Sequence, residues 1–298
     1  MRVFMTGATG FIGSFLVPEL IGAGHRVVGL SRSDAGAEAL TRAGAGVFRG
    51  DVNDLDRLRI AAAAADGVIH AAFNHDFSDL RRSSEDDRKV ILTLGAVLAG
   101  SDRPLLITSG TGLARSATGG LALETDDHAA AAEFPRAACE EAADAVRERG
   151  GRAMVVRLPQ VHDTHRQGRI TRHIEIARRQ GRVAYVGEGR NRVAAAHVRD
   201  VARLYRLVLE QGEAGRRYHA VGEEGVALCD IAAMIGAGLK MPVQSIGPEE
   251  APAYFGPMAQ LATIDLAASG ALTRRQLGWN PTGPNLLTDL RNMNYGVA

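Results

Sequence analysis

Along the first 160 residues, short and almost wholly apolar runs alternate with longer stretches whose apolar positions recur at helical spacing. The apolar runs at residues 2–6, 26–30, 46–48, 67–70, 104–108 and 153–158 predict strands. Helix-like segments start near Gly10, Ala35, Asp54, Asp79 and Pro135, and several carry Asp, Ser or Pro where a cap or first-turn residue belongs. Strands apolar on both faces and separated by helices make a parallel sheet covered on either side, so the pattern predicts an α/β fold with a doubly wound parallel sheet. After Pro159 the texture changes to a basic stretch at 166–182, a Gly-rich segment at 187–189 and a Pro- and Gly-marked tail at 280–284. The expected organisation is a nucleotide-binding domain over 1–158 and a smaller substrate lobe over 159–298. The run at 217–221 is read as one further strand returning to the main sheet.

Composition narrows the partners. Apolar residues make up 46% of the 298 and charged residues 23%, as in ordinary globular chains. A net charge of +1 lacks the basic footprint of a nucleic-acid binder. No apolar run approaches the roughly 20 residues of a membrane span, and the N-terminus reads as a strand and turn rather than a secretory signal. The expected location is cytoplasmic and the expected partner a small molecule, with neither nucleic acid nor membrane. Cys139 and Cys229 have no CxxC spacing and read as incidental thiols, so no metal site is expected.

The segment TGATGFIG sets Gly7, Gly10 and Gly13 between the first strand and the first helix, with Thr9, Phe11 and Ile12 in the same turn. In that context the glycines allow a tight turn, a close backbone approach to a pyrophosphate and close packing of helix on strand, the fingerprint of a Rossmann dinucleotide site. Free N–H groups and the helix dipole then bind the phosphate without side-chain charge. At the end of the second strand, where an NAD site would carry an acid for the ribose, the chain reads Leu30, Ser31, Arg32 and Ser33. A guanidinium there pairs with a 2′-phosphate and the serines can donate to it, so NADP(H) is favoured over NAD(H). Asp51 and Val52 stand where a carboxylate and an adjacent amide could read adenine; the alternative is that Asp51 or Asp54 caps the next helix.

Together TGATGFIG, GDVND, VIHAA, LLITSGTG and RLPQVH occur in the order seen in extended short-chain dehydrogenases/reductases, the NAD-dependent epimerase/dehydratase group, and HVRDVA at 197–202 resembles a further segment of it. The resemblance implies that Ala71, Ala72 and Phe73 line the cofactor, that Pro159 and Val161 flank the nicotinamide, and that the adenine contact falls on Asp51 and Val52. It also implies a homodimer through helices around 80–100 and 135–150. Catalysis in the group resembles a Ser/Thr–Tyr–Lys arrangement in which Lys lowers the Tyr pKa. Here the chain departs from the group's pattern. Its only lysines are Lys89 and Lys240, and no tyrosine has a lysine four residues later. PRAACEEAAD sets Arg136 at the tyrosine position and Glu140 at the lysine position. Arg stays charged and is a poor proton donor, and Glu supplies no cation.

Of the group's hydroxyl position, Thr111 is assigned to substrate contact and Ser109 to a structural or cofactor role; both could instead satisfy backbone at a strand end. His75, in the loop FNHDFSD after the fourth strand, is the first candidate proton donor, an imidazole being able to exchange a proton near neutral pH. The alternative makes Asn74 and Asp76 turn residues around an exposed His75. His162, near the nicotinamide if the group's layout holds, is the second candidate, with Gln160 facing substrate. Tyr185 reads as packing, and Arg190 and Arg192 either hold an anionic substrate or pair with acids. The leading reading is an NADP(H)-dependent oxidoreductase that reduces a small carbonyl compound. A nucleotide-sugar epimerase or dehydratase fits the fold but lacks the Tyr and Lys, and a non-catalytic NADP(H) sensor fits an intact glycine motif beside an altered catalytic segment.

Overall fold

The computed structural model describes residues 1–74, 79–114, 116 and 120–296. Its first half runs β1 (Arg2–Thr6), α1 (Phe11–Gly22), β2 (Arg26–Ser31), α2 (Asp34–Arg42), β3 (Gly46–Arg49), α3 (Leu55–Ala63), β4 (Gly67–His70), α4 (Leu80–Leu98), β5 (Pro104–Gly110), α5 (Ala138–Glu148) and β6 (Arg152–Leu158). The helix expected from Pro135 opens as a 3-10 turn, Pro135–Ala137, and becomes α-helical at Ala138. Caps fix the starts: Ser33, Asp54 and Asp79 each accept a backbone N–H three residues on, from Gly36, Arg57 and Arg82. Asp54 is thus the cap of α3, while Asp51 instead accepts from the Asn53 backbone and side-chain amides within its own turn.

The second half adds β7 (Gln160–His162), α6 (Arg169–Gln180), β8 (Val183–Val186), β9 (Arg192–His197), α7 (Val198–Gln211), β10 (Arg217–His219), β11 (Glu223–Ala227), α8 (Leu228–Leu239), β12 (Val243–Ile246), α9 (Ala251–Phe255), α10 (Ala259–Thr263), α11 (Ala271–Leu277) and α12 (Leu286–Asn292). The main sheet has seven parallel strands in the order β3-β2-β1-β4-β5-β6-β10. The middle residues of β1 to β6 are mostly apolar because alternate residues feed two cores. Val3 and Met5 pack with Leu16 and Leu20 of α1 and Leu204 of α7 on one face. Phe4 packs with Leu58 of α3, Ile91 of α4 and Ala142 of α5 on the other. Sheets β11-β9-β7 and β12-β8 belong to the smaller lobe, whose core joins Ile174 of α6, Val193, Ile235 of α8 and Leu290 of α12. The chain does not divide cleanly at residue 158, since β10 pairs with β6 and α7 packs under the main sheet. Among the described residues no helix is long and apolar enough to cross a membrane.

Candidate functional site

The strand order reverses between β1 and β4, so the ends of these strands part and leave a crevice at the carboxyl edge of the sheet. Gly7 follows β1 with φ +69°, and a Cβ there would lie 2.5 Å from the Ala71 carbonyl carbon and 2.6 Å from the Ala72 amide nitrogen. At Gly13 a Cβ would lie 2.1 Å from the Gly7 carbonyl oxygen. These contacts close the turn tightly against β4. Gly10 sits at the start of α1 in extended conformation, without a side-chain cap, its own N–H donating to the Gly7 carbonyl at 3.0 Å. The first-turn N–H groups of α1 are therefore free for an anion, and the cradle fits a dinucleotide pyrophosphate. Thr9 is exposed, Phe11 and Ile12 half-buried, and Ala71, Ala72 and Phe73 follow β4 directly.

At the ends of β2 and β3 two arginines stand together. Arg32 is 83% exposed, its Nη1 lying 3.9 Å from the Asp51 carboxylate, itself 44% exposed. An ion pair this exposed is worth about 0–1 kcal/mol, so little holds Arg32 from an incoming phosphate. Ser31 is buried and its hydroxyl donates to the Ser33 carbonyl, while the Ser33 hydroxyl caps α2. Arg49 donates to the same carbonyl at 2.5 Å and to Asp34 at 2.7 Å. Sequence reasoning missed Arg49. The signal available was a basic residue at the end of the third apolar run; its place beside Ser31 comes from the pairing of β2 with β3.

Arg136 and Glu140, where the resemblance would set Tyr and Lys, each lie in an ionic network. Arg136 donates to Asp87 at 2.7 Å and to the Thr108 carbonyl at 2.9 Å, and its guanidinium lies 4.0 Å from the Phe73 ring centroid. Asp87 also accepts from His70 Nε2 at 2.8 Å, which leaves Nδ1 to accept the Thr6 hydroxyl at 2.7 Å. Thr6 opens the glycine turn, so a chain of four side chains links Arg136 to the cofactor cradle. Burial alone would raise the Asp87 carboxyl, but Arg136 and His70 outweigh it and hold the group below the ordinary carboxylate range. Asp87 too was missed; its signal is a carboxylate on the buried face of α4, one turn before Val90 and Ile91.

Glu140 is fully buried and accepts from Arg157 through both oxygens at 2.8 Å, from Arg217 at 2.8 Å and from Ser109 at 2.6 Å. Burial would raise it too, but these donors keep it ionised. Ser109 therefore serves this knot, whereas Thr111, just past β5 and buried, has its hydroxyl 3.4 Å from the Leu158 carbonyl.

Pro159 is half-buried, and Val161 and Gln160 are buried on β7. His162 differs from the expectation of a donor near the nicotinamide. It has no exposed surface, its Nδ1 donates to Asp289 of α12 at 2.7 Å, and burial, outweighing Asp289, pulls its pKa down. An imidazole sealed between β7 and α12 has no route to a ligand in this conformation. Arg190 and Arg192 pair with Glu188 and Asp265 at 2.7 Å, in exposed ion pairs. His197 caps α7 and Asp200 accepts from Gly283 N–H at 2.7 Å, both structural. His75 and Asp76 lie outside the described residues.

The profile of the NAD dependent epimerase/dehydratase family matches residues 3–221. An uncharacterized protein of Schizosaccharomyces pombe is 42% identical over 296 residues, covering 99% of this chain and 100% of its own. One from Saccharomyces cerevisiae is 41% identical over 300 residues, covering 100% of both. Among solved structures, dTDP-glucose 4,6-dehydratase from Streptomyces venezuelae with NAD bound superposes with a TM-score of 0.77 at 19% identity, over 99% of this chain and 96% of that one. The Thermus thermophilus UDP-glucose 4-epimerase complex with NAD gives 0.75 at 20%, over 99% of each. At such identities the likeness is one of fold. With the profile spanning the whole main sheet and full-length relatives above 40% identity, the chain belongs to the NAD dependent epimerase/dehydratase family.

Proposed function

We propose that the protein is an NADP(H)-dependent oxidoreductase that reduces a small carbonyl substrate. The observation that carries this reading is Arg32, exposed at the end of β2 where an acid for the ribose would otherwise stand. Arg32 is free to pair with a 2′-phosphate, and the cradle of Gly7, Gly10 and Gly13 takes the pyrophosphate. The Ala71 to Phe73 segment, Pro159 and Val161 form the wall for the nicotinamide end. When bound, the reduced nicotinamide supplies the hydride. The protein's own part is orientation and electrostatics: Arg136 holds a fixed cation, braced by Asp87 and Phe73, toward which a carbonyl oxygen can build negative charge. Thr111 Oγ1 contacts the substrate, and solvent water delivers the proton to its oxygen.

NADPH and NADH titrations of the native chain, Arg32→Ala and Gly13→Val test it, followed by oxidation of NADPH over aldehydes, ketones and quinones. Arg32→Ala is expected to weaken NADPH about tenfold or more and leave NADH nearly unchanged, the cost of a lost charge-assisted pair. Gly13→Val is expected to abolish both. Equal loss of NADPH and NADH in Arg32→Ala overturns the NADP(H) preference. Tight binding without turnover favours the sensor reading, for which the Glu140 knot in place of a catalytic lysine is the supporting observation.

A further inference from the structure

The smaller lobe holds a cavity between α6, β8, β9 and the α9–α10 segment. Its interior measures about 50 Å³, and it opens to solvent at its mouth. Ile176, Val193, Leu228, Phe255 and Leu261 give it a surface of hydrocarbon and ring. Two nitrogen-bearing side chains interrupt that surface. His173 donates through Nε2 to the Ala184 carbonyl at 3.0 Å and meets Phe255 edge to face; burial pushes its pKa down to about 4, so it stands neutral. Arg169 is different. Among the described residues no carboxylate, carbonyl or hydroxyl meets its guanidinium, although Arg136, Arg157 and Arg217 all hold carboxylates. A half-buried cation without a counter-ion is destabilising, and burial pulls the Arg169 pKa down to about 10.

We propose that this cavity binds the apolar body of a monocarboxylate, with Arg169 pairing the carboxylate. One planar guanidinium matches one planar carboxylate, whereas a nucleoside diphosphate brings two phosphates and a polar base to a wall that has a single cation to offer. The cavity also abuts the reaction end of the fold. Arg169 follows Gly168, where a Cβ would lie 2.8 Å from the Val161 carbonyl oxygen and 3.1 Å from Gln160 Nε2. Resting on the reductase reading above, the substrate class becomes an apolar oxo acid or aldehyde acid, its carboxylate on Arg169 and its carbonyl directed toward β7.

The test is calorimetry on the full chain with octanoate, with octanamide as the uncharged match and UDP as the nucleotide comparison. The native chain is expected to bind octanoate about tenfold or more tightly than octanamide. Arg169→Met should erase that preference and melt no lower than the native chain, since it removes an uncompensated cation. Leu261→Trp should lose both ligands by filling the cavity. Arg179→Met, exposed on the same helix, should change neither. Equal affinity for octanoate and octanamide, a preference that survives Arg169→Met, or UDP binding more tightly than octanoate would each overturn the proposal. NADPH binding on the same preparations reports the cofactor reading separately: its loss with the octanoate preference intact sinks the reductase and leaves the cavity standing.

Discussion

One buried carboxylate, Glu140, ties several distant side chains together. Glu140 has two arginines on its carboxylate, and both are as buried as a side chain needs to be for their charge to demand a partner: Arg157 is 0% exposed and Arg217 17%. Restoring the family pattern with Arg136→Tyr and Glu140→Lys would bring an ammonium against both guanidinium groups and leave Asp87 without its cation. We expect the double variant to lose stability, by about 3–5 kcal/mol for each buried pair broken, rather than gain activity; urea unfolding measures it. Glu140→Gln, which keeps the shape and removes the charge, should be destabilised less, and a double variant as stable as the native chain would sink this account. That Arg136 and Glu140 stand where the group's Tyr and Lys would fall is what the resemblance implies. Their partners were not legible, because Asp87, Arg157 and Arg217 are brought to them by α4, β6 and β10 from distant parts of the chain.

Among the elements, the strands and their helices were legible because each apolar run and each cap acts locally. Parallel register was not, and with it went Arg49, whose place beside Ser31 exists only once β2 and β3 pair. The same holds for α12, whose short sequence gives no hint that Asp289 binds His162 across 127 residues. Asp289 also lies 3.8 Å from His197 Nε2, so one buried carboxylate ties α12 to both β7 and β9. Asp289→Ala should release this helix first. Hydrogen exchange is expected to quicken over 286–292 while β1, β4 and β5 keep their protection, and unchanged protection of α12 would show that its apolar contacts hold it alone.

The whole molecule should be more sensitive to mild acid than its carboxylates suggest. His219 of β10 has no exposed surface, donates through Nδ1 to the Ser269 carbonyl at 2.8 Å and faces Arg157 through Nε2 at 3.4 Å. Burial, with Arg157, pushes its pKa from 6.5 down to about 4. An imidazole kept neutral in the fold favours unfolding once the unfolded chain binds the proton, so stability should fall as pH drops from about 6.5 toward 4, by on the order of 3 kcal/mol for this residue. His173, also pushed down to about 4, acts in the same direction. Asp87 and Glu140, held low, add their loss only at pH below the ordinary carboxylate range. His128 opposes the trend, its pKa raised chiefly by Asp144, so its contribution is present in acid and fades as pH rises through the raised value. Thermal melts between pH 7.5 and 4 check the balance, and His219→Gln should flatten the curve; a native melting temperature constant from pH 7 to 5 would contradict it. Local pattern alone determined the α/β class, the order of strands and helices over the first 158 residues, the glycine motif and the absence of any tyrosine with a lysine four residues later, because backbone propensity, capping and the turn chemistry of glycine act over a few residues. Tertiary structure alone decided that His162 is sealed, that Glu140 is locked between arginines and that Arg169 has no partner among the described residues. Burial and the pairing of charges depend on which distant segments meet, and no spacing along the chain encodes that.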